Sequence, residues 1–174
     1  CLTTLVKVQF EIKKIIIINK ILFMNNKYID IYNKLVNLTR NKKLYKDFTK
    51  VDTFSDRLLM FLFHFAFFLK IFKNNSNKKT LQDIFDLIFK QLEISIREIG
   101  YGDASINSKM KSFINIFYDI LSKIDKWEVM PKHEKNEILN NYLYLKKEPN
   151  DLVDYFDNYV LKLSNSTLNL FLNV

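Results

Sequence analysis

His64, His133 and Cys1 are the side chains of this 174-residue chain best suited to ligate a metal or to act as a nucleophile. A zinc site needs several Cys, His or carboxylate ligands at short spacing, and two distant histidines with a single cysteine supply no such cluster. One cysteine also excludes an intramolecular disulfide. His64 lies in a strongly apolar run, where a haem ligand could stand, but no second ligand or haem motif accompanies it. Its residues favour a core histidine bonded to a neighbouring helix. Cys1 has no base nearby in sequence to activate its thiol. The two glycines, Gly100 and Gly102, sit in one turn and cannot form a phosphate-binding loop. Neither a His-Glu-x-x-His pair nor a serine nucleophile elbow is present. The expectation is a protein without catalytic activity, cofactor, metal or small-molecule substrate.

The net charge of +8 raises nucleic acid as a partner. Residues 1–23 contribute four lysines against one glutamate, and the remaining lysines are spread along the whole chain. An even spread describes a solvated basic surface better than a nucleic-acid face. Sequence-specific DNA binding is not expected. A basic helical module bound to the ribosome or to RNA is the alternative reading. Residues 1–23 are interrupted by charge and lack the length of a membrane span or the cleavage pattern of a signal peptide. We read them as an N-terminal extension outside the domain, which spans 24–174 and begins at Met24.

Positioning these residues falls to helices. With 48% hydrophobic residues, 16 Phe, 2 Gly and 2 Pro, the chain has material for a core and little for hairpin turns. Tyr28, Ile31, Leu35 and Leu38 recur at helical spacing, and 41–50 reads as a short helix or loop. Thr53-Phe54-Ser55-Asp56 is a capping box ahead of an all-round apolar run, Leu58 to Phe72. That run is too short for a membrane span and ends at Lys70 and Lys73, so it reads as a central core helix. Thr80 and Asp83 repeat the capping signal before a stripe of Leu81, Ile84, Phe85, Ile88, Leu92, Ile96 and Ile99. Gly100 and Gly102 follow, with backbone freedom suited to closing a helix. Asp103, Ser105 or Asn107 is expected to cap the next helix, with Met110, Phe113, Ile114, Phe117, Leu121 and Ile124 inward. A helix over 132–145 and one after Glu148-Pro149, with Leu152, Tyr155, Tyr159 and Leu163 inward, complete an all-α domain of about six helices.

Three segments together resemble the ubiquinol–cytochrome c chaperone family of alphaproteobacteria and mitochondria. The first is Val51-Asp52-Thr53-Phe54-Ser55-Asp56-Arg57 running into Phe61-Leu62-Phe63-His64. The second spans Leu81 to Lys111, with Ile84-Phe85-Asp86, Phe89, Glu93, the turn Arg97-Glu98-Ile99-Gly100-Tyr101-Gly102-Asp103, and Lys109-Met110-Lys111. The third is the pair Phe117-Tyr118, and a looser likeness continues from Leu139 to Val160. The resemblance covers roughly residues 45–163. Four positions depart from the pattern: Gln91 replaces the first acid of an acid-x-acid pair, Asp119-Ile120 replaces Gly-Arg, and Asp56 replaces a Gly.

The resemblance implies a chaperone for newly made cytochrome b, held for cofactor insertion and entry into ubiquinol–cytochrome c reductase. It further implies a small partner protein and the ribosome as neighbours. The implied location is the cytoplasmic face of the inner membrane in a bacterium, or its matrix side in a mitochondrion. Its motifs nominate Arg57, His64, Asp86, Arg97, Glu98, Gly100, Gly102, Asp103, Lys109, Lys111 and Tyr118 as client-, partner- or family-motif residues. On this reading part of the Leu58–Phe72 helix, the Arg97–Asp103 turn, Lys109 and Lys111 border the client.

Overall fold

The computed structural model describes residues 28–49, 53–74, 76–100 and 102–172, so the expected extension 1–23 lies outside the described residues. A helix that is apolar on every face must be surrounded, and the chain is arranged to do that. The first helix, α1, is seen over 28–39 and is followed by a 3-10 turn, Lys42–Tyr45, capped by the Asn41 side chain. The apolar run lies in α2, Phe54–Phe72. The expected capping box is formed: Thr53 Oγ1 accepts from the Asp56 amide at 3.2 Å, and the Asp56 carboxylate accepts from the Thr53 amide at 3.1 Å. Every residue from Met60 to Phe68 is buried. Nine consecutive buried positions exceed two helical turns, so the middle of α2 has no solvent face.

Five further helices and a turn cover it. These are α3 (Lys78–Glu98), α4 (Asp103–Lys123), a 3-10 turn (Trp127–Val129), α5 (Lys132–Tyr142), α6 (Asn150–Ser164) and α7 (Leu168–Leu172). Successive α2 rings point to different neighbours, as a rotation of about 100° per residue requires. Phe65 stacks on Phe117 of α4 at 5.1 Å and meets Phe85 and Phe89 of α3. Phe67 packs on Phe156 of α6 at 5.2 Å and edge-on against Trp127 at 5.0 Å. Phe68 and Phe72 meet Phe171 of α7, and Phe61 meets Tyr32 of α1. Each buried Phe contributes about 1.5–3 kcal/mol of transfer free energy, so this aromatic column dominates the core.

Several local expectations are corrected. Thr80 does not cap α3, which has already begun at Lys78. The chain turns earlier, where the Asn77 amide donates to Asn74 Oδ1 at 2.7 Å and the Asn77 side chain donates to the Phe72 carbonyl at 3.0 Å. Ile99 falls past the end of α3, leaves the stripe and is 54% exposed. Gly102, not Asp103, Ser105 or Asn107, occupies the N-cap of α4, and the Ser105 hydroxyl donates to its carbonyl at 2.9 Å. Buried Ile106, Phe117, Ile120 and Ile124 form the α4 stripe; Met110, Phe113, Ile114 and Leu121 lie at its edge. The helix expected over 132–145 ends at Tyr142 because Leu145 is drawn into an antiparallel bridge with Phe48. Thr49 and Lys146 amides donate across that bridge to Tyr144 and Asp47, each at 2.8 Å. With α7, the described residues hold seven α-helices rather than about six. Among them no helix is long and apolar enough to cross a membrane.

Candidate functional site

Of the groups that could do chemistry, His64 is drawn into a helix–helix contact, His133 is exposed on α5, and Cys1 lies outside the described residues. His64 is fully buried on α2, with Nδ1 2.6 Å from the Met60 carbonyl and Nε2 2.6 Å from the Tyr155 hydroxyl of α6. A carbonyl can only accept, so Nδ1 carries the proton and the neutral ring accepts from Tyr155 at Nε2. Burial pushes the imidazole pKa down to about 4, against the opposing pull of the Met60 carbonyl. Tyr155, Phe156 and Tyr159 rings enclose it at 5.5, 5.3 and 5.0 Å. Burial likewise lifts the Tyr155 hydroxyl to about 12. With both ring nitrogens engaged, His64 ties α2 to α6.

A second tie joins the turn after α4 to α5 and α6. Asp157 accepts from Trp127 Nε1 at 2.7 Å and from Lys135 Nζ at 2.9 Å, and the ammonium lies 5.3 Å from the Trp127 ring centre. A third joins α4 to α5: Asp119 accepts from the Tyr142 hydroxyl and from Lys123. The Tyr142 bond, aided by Lys123, holds the Asp119 carboxyl below its usual range, while burial raises the Tyr142 hydroxyl. Among the described residues no group of three or more His, Cys, Asp or Glu could hold a metal.

Of the open grooves, two lie along α2, α3 and α4. One, of about 270 Å³, lies between the first turns of α2 (Phe54, Leu58, Leu59), the end of α3 (Ile96) and the first half of α4 (Lys109, Phe113). Of the nominated residues it takes Lys109, whose aliphatic stem can cover apolar surface. Ile96 brings the neighbouring turn close, but Arg97 itself pairs with Glu93 at 2.7 Å along α3. Arg57, Glu98, Gly100, Gly102 and Lys111 are exposed. Asp103 opens α4, and its side chain lies outside the described residues, as do Val51, Asp52 and Tyr101 of the motifs.

Three further nominated residues lie on other parts of the fold. Asp86 sits exposed on α3, accepting from Gln82 at 2.9 Å. Tyr118 lies towards the far end of α4, stacked on Phe85 at 5.9 Å, and His64 faces α6. Of the Leu58–Phe72 stretch, part of which is expected to border a client, the surrounding helices bury Met60 to Phe68, and Leu58, Leu59 and Leu62 line the groove. Sequence reasoning missed Phe54, 39% exposed, although its place as the first helical residue, ahead of the apolar run, marks it as lying off the core.

No curated protein matches the chain. A crystal structure described as the Cbp3 homolog from Brucella abortus is similar over 91% of this chain and 92% of that chain, at 20% identity and a TM-score of 0.72. At that identity the likeness shows the fold. Residues 46–168 match the family described as Ubiquinol-cytochrome C chaperone. That match takes in α2 to α6, the core and the groove together, and the chain belongs to the ubiquinol–cytochrome C chaperone family.

Proposed function

We propose that the chain is a non-catalytic assembly chaperone that binds unassembled cytochrome b and promotes its entry into ubiquinol–cytochrome c reductase. The family match over residues 46–168 carries this reading. The groove between α2, α3 and α4 supplies a physical means. A chaperone for a membrane protein needs an accessible apolar surface beside polar groups that orient the client. Phe54, Leu58, Leu59 and Phe113 provide the first and Lys109 the second. A small partner protein and the ribosome are the neighbours expected beside the client. Its place is at the inner membrane, on the cytoplasmic face in a bacterium or the matrix side in a mitochondrion.

Deletion of the gene is expected to lower cytochrome b, read by haem staining and immunoblotting of membranes. The variant Lys109→Glu/Lys111→Glu should do the same while keeping the helical circular-dichroism spectrum. Normal cytochrome b in the deletion strain, with loss of some other complex, overturns the reading. Normal cytochrome b in the variant alone removes the two lysines from the client surface.

A further inference from the structure

A second groove, of about 550 Å³, lies at the opposite end of the same three helices. Its floor is Leu81, Leu121 and the stacked pair Phe85 and Tyr118, the tyrosine 54% exposed. Its rim carries Lys70, Lys73 and Lys78, with Asp125 facing them from the end of α4. Lys70 is held by Glu128. Among the described residues the side chains of Lys73, Lys78 and Asp125 form no hydrogen bond or ion pair, and the two lysines outnumber the one carboxylate.

The start of α3 makes this excess unusual. Its first residues are Lys78 and Lys79, its first turn holds no acid, and Asn77 gives it no side-chain cap. Cations are placed at the positive end of the helix macrodipole, which is unfavourable by itself and is relieved by a negative group bound there. The groove is concave beside that end, so it receives a protruding side chain rather than inserting one into a bilayer. An aromatic shelf next to an uncompensated basic rim is complementary to an apolar residue followed by acid.

We propose that this groove binds an amphipathic protein segment, with an aromatic or aliphatic side chain laid on Phe85 and Tyr118 and an acidic group set between Lys73 and Lys78. The site is separate from the Lys109 groove and holds whether or not the client there is cytochrome b.

The test uses the full chain and two fluorescein-labelled synthetic helical peptides. Both carry a Leu/Phe stripe; one ends in two Glu, the other in two Lys. Fluorescence anisotropy should show the acidic peptide binding about tenfold or more tighter than the basic one, as two rim ion pairs allow. Lys73→Glu/Lys78→Glu should reverse that preference, and Tyr118→Ala should weaken binding of the preferred peptide. The reversal by charge exchange reports a folded, functional groove in the variant. Equal binding of the two peptides, no binding of either, or a preference unmoved by the exchange overturns the proposal. Binding to phosphatidylglycerol vesicles that is lost in Lys73→Glu/Lys78→Glu, without peptide binding, also overturns it and assigns the rim to a membrane surface.

Discussion

The side of α2 that faces α6 and the side that faces α3 and α4 are held by different chemistry. Towards α6, directional bonds are added to the packing of Phe63 and Phe67 on Phe156: the Tyr155 hydroxyl donates to His64, the Tyr159 hydroxyl donates to the His64 carbonyl at 3.4 Å, and Trp127 and Lys135 converge on Asp157. Towards α3 and α4, the contacts are rings on rings, centred on Phe65, Phe85, Phe89 and Phe117. Buried polar networks favour one arrangement, because any shift leaves a group unpaired. Apolar packing tolerates small readjustments at lower cost. The two grooves described above open at the two ends of the aromatic side. These two grooves thus border packing that can readjust, whereas His64 and Asp157 hold α6 by directional bonds.

The largest effect should come from removing the centre of the aromatic side. Phe65→Ala leaves a cavity among four rings and should lower unfolding free energy in urea by about 3–5 kcal/mol. A loss below about 1 kcal/mol would show that this side relaxes around the gap and that the rings do not hold it.

The pinned side should be sensitive to pH where the aromatic side is not. The His64 pKa falls from 6.5 unfolded to about 4 folded, so the unfolded chain takes up a proton first as pH falls. The contribution of the neutral ring is complete above pH 6.5 and is lost as pH drops towards 4. It is worth about 3 kcal/mol for a shift of this size in a fully buried group. Urea midpoints measured from pH 7.5 to 5 should fall in the parent chain and stay nearly flat in His64→Gln. An equal slope in both would place the pH dependence elsewhere and break the comparison.

Much of this division is legible in the sequence. The Thr53–Asp56 box and the all-round apolar run locate α2 because both are local signals, and His64 in such a run demands a partner on another helix. The partner itself is not legible, since Tyr155 is one of several tyrosines and only the packing of α6 selects it. The start of α3 was hidden because the chain turns through Asn74 and Asn77 before Thr80 is reached. The grooves were hidden for a related reason. Phe117 and Tyr118 are adjacent and both aromatic, yet one is fully buried and the other 54% exposed. That difference depends on how far α3 and α4 extend over each other, which spacing along one helix does not encode.

The segment that joins α3 to α4 holds two glycines that are not equivalent. Gly100 has φ of +100°, a region side chains rarely adopt, whereas Gly102 has φ −68° and ψ 149°, ordinary for any residue. A Cβ at either position meets nothing within 4 Å, so backbone conformation alone decides the outcome. The same substitution therefore separates them. Gly100→Ser should lower stability by about 1–2 kcal/mol through the strained dihedral. Gly102→Ser should raise it by about 0.5 kcal/mol, because serine restricts the unfolded chain and supplies the helix cap that α4 lacks. Thermal melts should show midpoints moving in opposite directions, by about 2–4 °C per kcal/mol for a chain of this size. Equal shifts would mean that the turn responds as one unit and that the aromatic side is aligned by ring packing instead. Opposite shifts would tie the alignment of α3 on α4 to the left-handed conformation at Gly100.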